Sequence, residues 1–122
     1  QNRTEFHVYP SEAEGFGHAI CEAMGMAGIV ITTDAPPMNE LVAPGRGLLV
    51  AYNRTSRQGL GTNYHASVGS IEVAMERALA MTMDEKEQLR QRAREWFVSN
   101  DRAFRDALPR VAAELMAGGV DL

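Results

Sequence analysis

The run Ile29-Val30-Ile31-Thr32-Thr33 constrains this chain more than any other five residues. All five side chains branch at Cβ, which favours an extended strand. Apolar and polar residues do not alternate, so no wet face is marked. A strand of this kind needs cover on both sides, the condition of a parallel sheet packed between helices. Its neighbours fit that frame. Phe6-His7-Val8-Tyr9-Pro10 reads as a short strand stopped by proline, and Leu48–Ala51 as a third strand. Between the first two, apolar residues fall at 16, 19, 20, 23, 24 and 27, a helical period that Gly28 ends. Asn39–Val42 reads as one helical turn and Gly45-Arg46-Gly47 as a tight turn.

Residues 53–67 are polar and read as a loop. Beyond them everything is helical. Ser70 is the expected cap of a helix reaching Met83. Asp84-Glu85-Lys86-Glu87 reads as the capping box of the next, which buries Leu89, Ala93, Trp96 and Phe97 and breaks at Ser99-Asn100. A last helix runs from Asp101 to Ala117, kinked or restarted near Pro109 and ended by Gly118-Gly119. Arg90, Arg92 and Arg94 read as a solvated face, and Met24, Met75 and Met81 as packing residues. The expected class is α/β, a partial Rossmann-like parallel sheet with flanking helices and a helical tail. The expected organisation is one domain over residues 1–122, with a strand-helix-strand core over 1–52 and C-terminal helices over 70–118. Three strands make a thin sheet, and the chain enters its first strand within five residues of Gln1. Both features read as a piece of a longer protein whose remaining strands lie upstream.

Composition narrows the function. The net charge of −4 offers no basic field for nucleic acid. No apolar run approaches the ~18 residues that span a bilayer. The single cysteine, Cys21, excludes an intrachain disulfide framework and fits a reducing, cytoplasmic setting. Cys21 has no positive neighbour one turn away and reads as an inert thiol. Lys86 is the only lysine and sits in a run of charges, which disfavours Schiff-base chemistry. His7 and His65 lack partners at metal-ligand spacing, so no metal site is expected.

The chemistry concentrates in "PSEAEGFGHAICEAMG", residues 10–25. Glu14 precedes Gly15-Phe16-Gly17, and Glu22 follows eight positions on. In open α/β sheets ligands sit beyond the carboxyl ends of strands, against helix N-termini. Glycines there allow close backbone approach, and free amides of the first turn favour a phosphate. Two carboxylates about 12 Å apart at most, by helical rise, suit hydroxyls at both ends of an extended ligand with phosphates between them, which describes a sugar nucleotide. On spacing alone, Glu14 equally reads as an acid at a helix N-terminus and Glu22 as a solvated helix position. His18, one turn ahead of Glu22, reads either as a contact near the phosphates or as an ordinary His–Glu pair.

The order Pro10-Ser11, Glu14-Gly15-Phe16-Gly17, Glu22-Ala23-Met24, Ala27-Gly28, Thr33-Asp34, Glu40-Leu41-Val42 and Gly47-Leu48-Leu49-Val50 resembles the donor-binding segment of retaining GT-B glycosyltransferases with a Glu-x7-Glu signature. The resemblance is close over residues 5–52 and looser in the helical tail. It implies a C-terminal donor-binding domain acting on a nucleotide-sugar donor, without a metal or a separate cofactor. Glu14 would lie nearest the reacting carbon as the catalytic residue. Gly15, Phe16, Gly17 and His18 would line the sugar or phosphates, and Glu22 would hold the ribose. Family members clamp the diphosphate with an Arg and a Lys upstream of this segment and bind the acceptor on an N-terminal domain. Neither is present here. Where they carry small or glycine-rich residues, this chain has Ala35-Pro36-Pro37-Met38-Asn39. In the family a C-terminal helix crosses to the other domain, and the helix from Asp101 is its counterpart. Two other readings stay open: a sugar-nucleotide epimerase of GT-B shape, and a non-enzymatic module that forms homo-oligomers through an exposed sheet edge.

Overall fold

The computed structural model describes residues 5–118. Its elements are β1 (Phe6–Tyr9), α1 (His18–Gly25), β2 (Ile29–Thr33), α2 (Met38–Leu41), β3 (Leu48–Val50), β4 (Tyr52–Gln58), β5 (Gly61–Ala66), α3 (Val68–Ala80) and α4 (Met83–Ala117). All five residues of β2 are buried. The strand lies between β1 and β3 and is parallel to both, with Phe6 opposite Ile29 and Ile31 opposite Leu48. Its side chains alternate between two cores. Val30 packs with Ile20, Ala23 and Met24 of α1, with Met38 of α2 and with Ala93 of α4. Ile29 and Ile31 pack with Leu48, Val50, Ala74 and Ala78, adding α3 on the other face, and with Leu89 of α4. Each fully buried Ile or Val contributes about 1.5–3 kcal/mol, so this strand alone supplies much of what holds the layers together. The arrangement is α/β, a partial Rossmann-like parallel sheet with flanking helices, as expected.

The parallel order gives the sheet two unlike edges. β1, β2 and β3 end beside residues 10–17, 34–37 and 51, which form the carboxyl edge. At the amino edge lie Glu5, Gly25 and Gly45, and α4 crosses there. Arg90 pairs with Glu5 at 2.6 Å, and Lys86 reaches the same carboxylate at 3.4 Å. Arg92 donates to the Gly45 carbonyl at 3.4 Å, and Arg94 donates to the carbonyl of Gly25. Arg92 and Arg94 are exposed, as expected of a solvated face, while Arg90 is half-buried, and all three also tether α4 to separate parts of the chain. Arg46 also has a structural task. Its guanidinium donates to the Leu41 and Glu40 carbonyls, both at 2.8 Å, at the end of α2, and lies 4.7 Å over the ring of Trp96. Partial burial lowers its pKa from the ordinary arginine value.

Several sequence expectations are corrected. Residues 53–67 are not a loop. Most of them form the antiparallel hairpin β4–β5, closed by the two-residue turn Gly59-Leu60 with φ +60° at Gly59. The helix α1 begins at His18, two residues after Phe16, because Gly17 adopts φ +66° and starts the helix from a left-handed conformation. It ends at Gly25 rather than at Gly28. The Gly28 amide donates to the Ala23 carbonyl at 2.8 Å and the Ala27 amide to that of Met24 at 3.0 Å, a Schellman closure with Ala27 at φ +57°. The cap of α3 is Ser67, whose hydroxyl accepts from the Ser70 amide at 3.1 Å. The capping box of α4 is Thr82 with Glu85, two residues earlier than expected. The helix α4 runs unbroken through Ser99-Asn100 and Pro109 over its 35 residues. Pro109 is exposed, so the Arg105 carbonyl that loses its helical donor is left to water. Trp96 and Phe97 are half-buried, and Met75 is exposed, whereas Met24 is fully buried and Met81 packs against the second core. Gly118 caps α4, and Gly119 lies outside the described residues.

Two substitutions probe this packing with opposite signs. A Cβ on Gly47 would stand 2.8 Å from the Val30 carbonyl oxygen and against Val42. Gly47→Ala is expected to lower stability by about 1–3 kcal/mol in urea unfolding. Ala27→Gly relieves a left-handed alanine and is expected to raise stability by about 0.5–1 kcal/mol, less the added freedom of the unfolded chain.

Candidate functional site

Residues 10–17 leave the tip of β1 and lead into α1. Ser11 turns the chain, its amide donating to the Tyr9 carbonyl at 2.7 Å. Its hydroxyl donates to Glu14 Oε1 at 2.8 Å, which fixes the half-buried carboxylate beside the first turn of α1. The proximity also registers on Cys21. Burial, and then the charge of Glu14, push its thiol pKa up, as expected for an inert cysteine.

Gly17 is buried and tightly placed. A Cβ there would lie against Leu41, and φ +66° already excludes most residues. As the residue that precedes α1, Gly17 has no side chain to cap it, and no other side chain does so among the described residues. The amides that open α1 are therefore unclaimed, in contrast to α3 and α4, which both carry capping side chains. Gly15 is exposed, and a Cβ built on it meets nothing within 4 Å. Phe16 is 84% exposed, with its ring 5.7 Å from that of His18. His18 and Glu22 are exposed on successive turns of α1. The expected site residues thus divide. Glu14 and Gly17 are held by the fold, while Gly15, Phe16, His18 and Glu22 face outward around the open helix end.

A groove of about 480 Å³ runs beside this opening, between Phe16, His18 and Cys21 on one side and Phe97, Asn100 and Phe104 of α4 on the other. On the neighbouring strand tip, Asn39 donates to Asp34 at 3.2 Å, tying the loop after β2 to α2. The Pro36–Pro37 peptide in that loop is cis.

Three residues of this edge were missed by sequence reasoning. Glu12, between Ser11 and Glu14, accepts at 2.7 Å from Nδ1 of His65, whose Nε2 lies 2.8 Å from the Ser56 hydroxyl. Its carbonyl also accepts from the Tyr64 amide at 2.9 Å. The available signal was Gln58-Gly59-Leu60-Gly61, a Gly-X pair between runs containing Tyr, Thr and Arg, which fits a two-residue hairpin turn.

In open α/β domains ligands sit at the carboxyl edge of the sheet, the edge at which α1 opens from an uncapped glycine. The family model for glycosyl transferases group 1 matches residues 2–96. This chain belongs to that family, whose activity is glycosyl transfer. The match covers every strand and ends inside α4, near the residue where that helix loses its last core contacts. No curated protein matches the chain.

The position of Glu14 has a test independent of catalysis. Glu14→Gln removes the charge that raises the Cys21 pKa, so alkylation of Cys21 by iodoacetamide is expected to accelerate at fixed pH, with its pH profile displaced toward lower pH.

Proposed function

We propose that this chain is the nucleotide-sugar-binding part of a retaining hexosyltransferase that acts on an acceptor hydroxyl. The observation that carries the reading is the uncapped N-terminus of α1, with Glu14 on one side and Glu22 on the other, in a chain of a glycosyltransferase family. Unclaimed amides and the helix dipole favour a diphosphate at that end. Carboxylates are double acceptors and suit sugar hydroxyls. Glu14, already oriented by Ser11, takes the hydroxyls of the transferred sugar near the anomeric carbon. Glu22, one and a half turns into solvent, takes the ribose. Gly15 leaves room for the ligand, and Phe16 and His18 lie along it.

The reaction breaks the bond between the anomeric carbon and the diphosphate oxygen and forms one to the acceptor oxygen on the same face of the sugar. The acceptor proton passes to the departing diphosphate oxygen as that oxygen gains charge. Amides aimed at that charge stabilise it as it develops, while the anomeric centre takes on oxocarbenium character. Nothing in this scheme needs a metal or a separate cofactor. Acceptor binding and the diphosphate clamp are assigned in this reading to other parts of the enzyme, in keeping with a cytoplasmic two-domain transferase.

The test is a donor panel on the full-length protein. Glu14→Gln is expected to lower turnover by about 100-fold or more and to blunt discrimination among sugars. Glu22→Gln is expected to weaken nucleoside diphosphate affinity by about tenfold with little change in sugar preference. A free epimer formed without acceptor consumption would favour the epimerase instead. The 122-residue chain alone is expected to show no turnover, and transfer by it would contradict the division of labour proposed here.

A further inference from the structure

The hairpin β4–β5 joins the two outer strands of the sheet across its carboxyl edge. It leaves the tip of β3 at Ala51 and returns against Glu12, in the loop that follows β1. Two hydrogen bonds make the junction, and a third within the hairpin supports them. The Tyr64 amide donates to the Glu12 carbonyl at 2.9 Å, His65 Nδ1 meets Glu12 Oε1 at 2.7 Å, and Ser56 Oγ meets His65 Nε2 at 2.8 Å. A carboxylate only accepts, so the proton on Nδ1 points at Glu12, and Nε2 is left to accept from the Ser56 hydroxyl. A neutral imidazole satisfies the whole chain of bonds.

This junction controls where Glu14 sits. Among the described residues, the Tyr64–Glu12 bond is the one backbone hydrogen bond made by residues 12–16. Glu12 lies between Ser11, which donates to the Glu14 carboxylate, and Glu14 itself. Anchoring Glu12 therefore restrains the short segment that carries both the donor and the acceptor of that bond. The buried side chains of both cores come from outside the hairpin, with only Tyr64 and Ala66 packing against them. Its loss would loosen the loop more than the fold.

We infer that His65, acting through Glu12, is a positioning residue for the sugar end of the donor site, and that the hairpin is the strap that holds Glu14 in place. This rests on the donor-site reading above. A displacement of about 1 Å at a reacting group costs up to 100-fold in rate, so one well-placed bond outside the site is enough to matter.

The experiment measures, on the full-length protein, the affinities for UDP, GDP and ADP and for UDP-glucose, GDP-mannose and ADP-glucose. The readout is the ratio of nucleotide-sugar to nucleoside diphosphate affinity for the preferred base. His65→Ala is expected to lower that ratio about tenfold while leaving the nucleoside diphosphate affinity within about twofold. His65→Asn places an amide near the position of Nδ1 and is expected to recover most of the loss. Glu12→Ala is expected to resemble His65→Ala, and the double variant to be no worse than either single one, as required of two groups acting through one bond. An unchanged ratio in His65→Ala overturns the proposal. So does an equal loss of both affinities, failure of His65→Asn to recover, or additive losses in the double variant. Glu14→Gln separates the two claims. If it lowers the ratio and His65→Ala does not, the strap is wrong and the donor site stands. If Glu14→Gln leaves the ratio unchanged, or no donor binds, the donor-site reading fails and this proposal fails with it.

Discussion

Burial of β2 on both faces is the constraint from which the rest follows. A strand with no solvated side has to be covered twice, and a chain this short can do so only by sending helices to either face of a parallel sheet. Alternate residues of one five-residue strand join two separate cores, Val30 with α1 and α2, Ile29 and Ile31 with α3. The parallel crossovers then leave β1, β2 and β3 pointing the same way. All loops that follow strands gather at one edge, and all that precede them at the other.

The chain treats those edges differently. At the amino edge, α4 crosses the loop starts and is bonded to them by Lys86, Arg90, Arg92 and Arg94. At the carboxyl edge several side chains bond to one another, but the first-turn amides of α1 have no side-chain cap among the described residues. The helices α3 and α4 spend Ser67 and Thr82 on their first turns, but α1 begins at a bare glycine. A glycine before a helix costs only a few tenths of a kcal/mol relative to a capping serine or threonine. The opening of α1 bears that cost beside the one carboxylate, Glu14, that a neighbouring serine holds in a fixed orientation. Stability is concentrated where nothing is bound, and unmet hydrogen-bonding capacity where a ligand is proposed to sit.

What the amino-acid sequence reveals of this arrangement depends on the range of the signal. β2, the helical period of α1 and the acids at positions 14 and 22 are legible because each is written within a few residues. The class α/β and the parallel order follow from them. The hairpin was not legible because β4 is exposed along almost all of its length, so no burial pattern distinguishes its residues from a polar loop. The caps of α3 and α4 were misplaced by three and two residues because each start offers two candidates close together, Ser67 and Ser70, Thr82 and Asp84, and only geometry selects between them. The arginines of α4 read as a solvated face because their partners, Glu5, Gly45 and Gly25, lie far away in the chain. The same holds at the site. Glu14 could be singled out from its own surroundings, whereas the Glu12–His65 bond joins residues 53 positions apart and is invisible without the fold.

The most direct measurement is a crystal structure of the protein with a nucleotide sugar bound. The expected result has the diphosphate against the amides of His18, Ala19 and Ile20, a sugar hydroxyl within hydrogen-bond reach of Glu14, and the ribose within reach of Glu22. A donor seated away from the opening of α1, with either glutamate left in bulk solvent, would contradict the account.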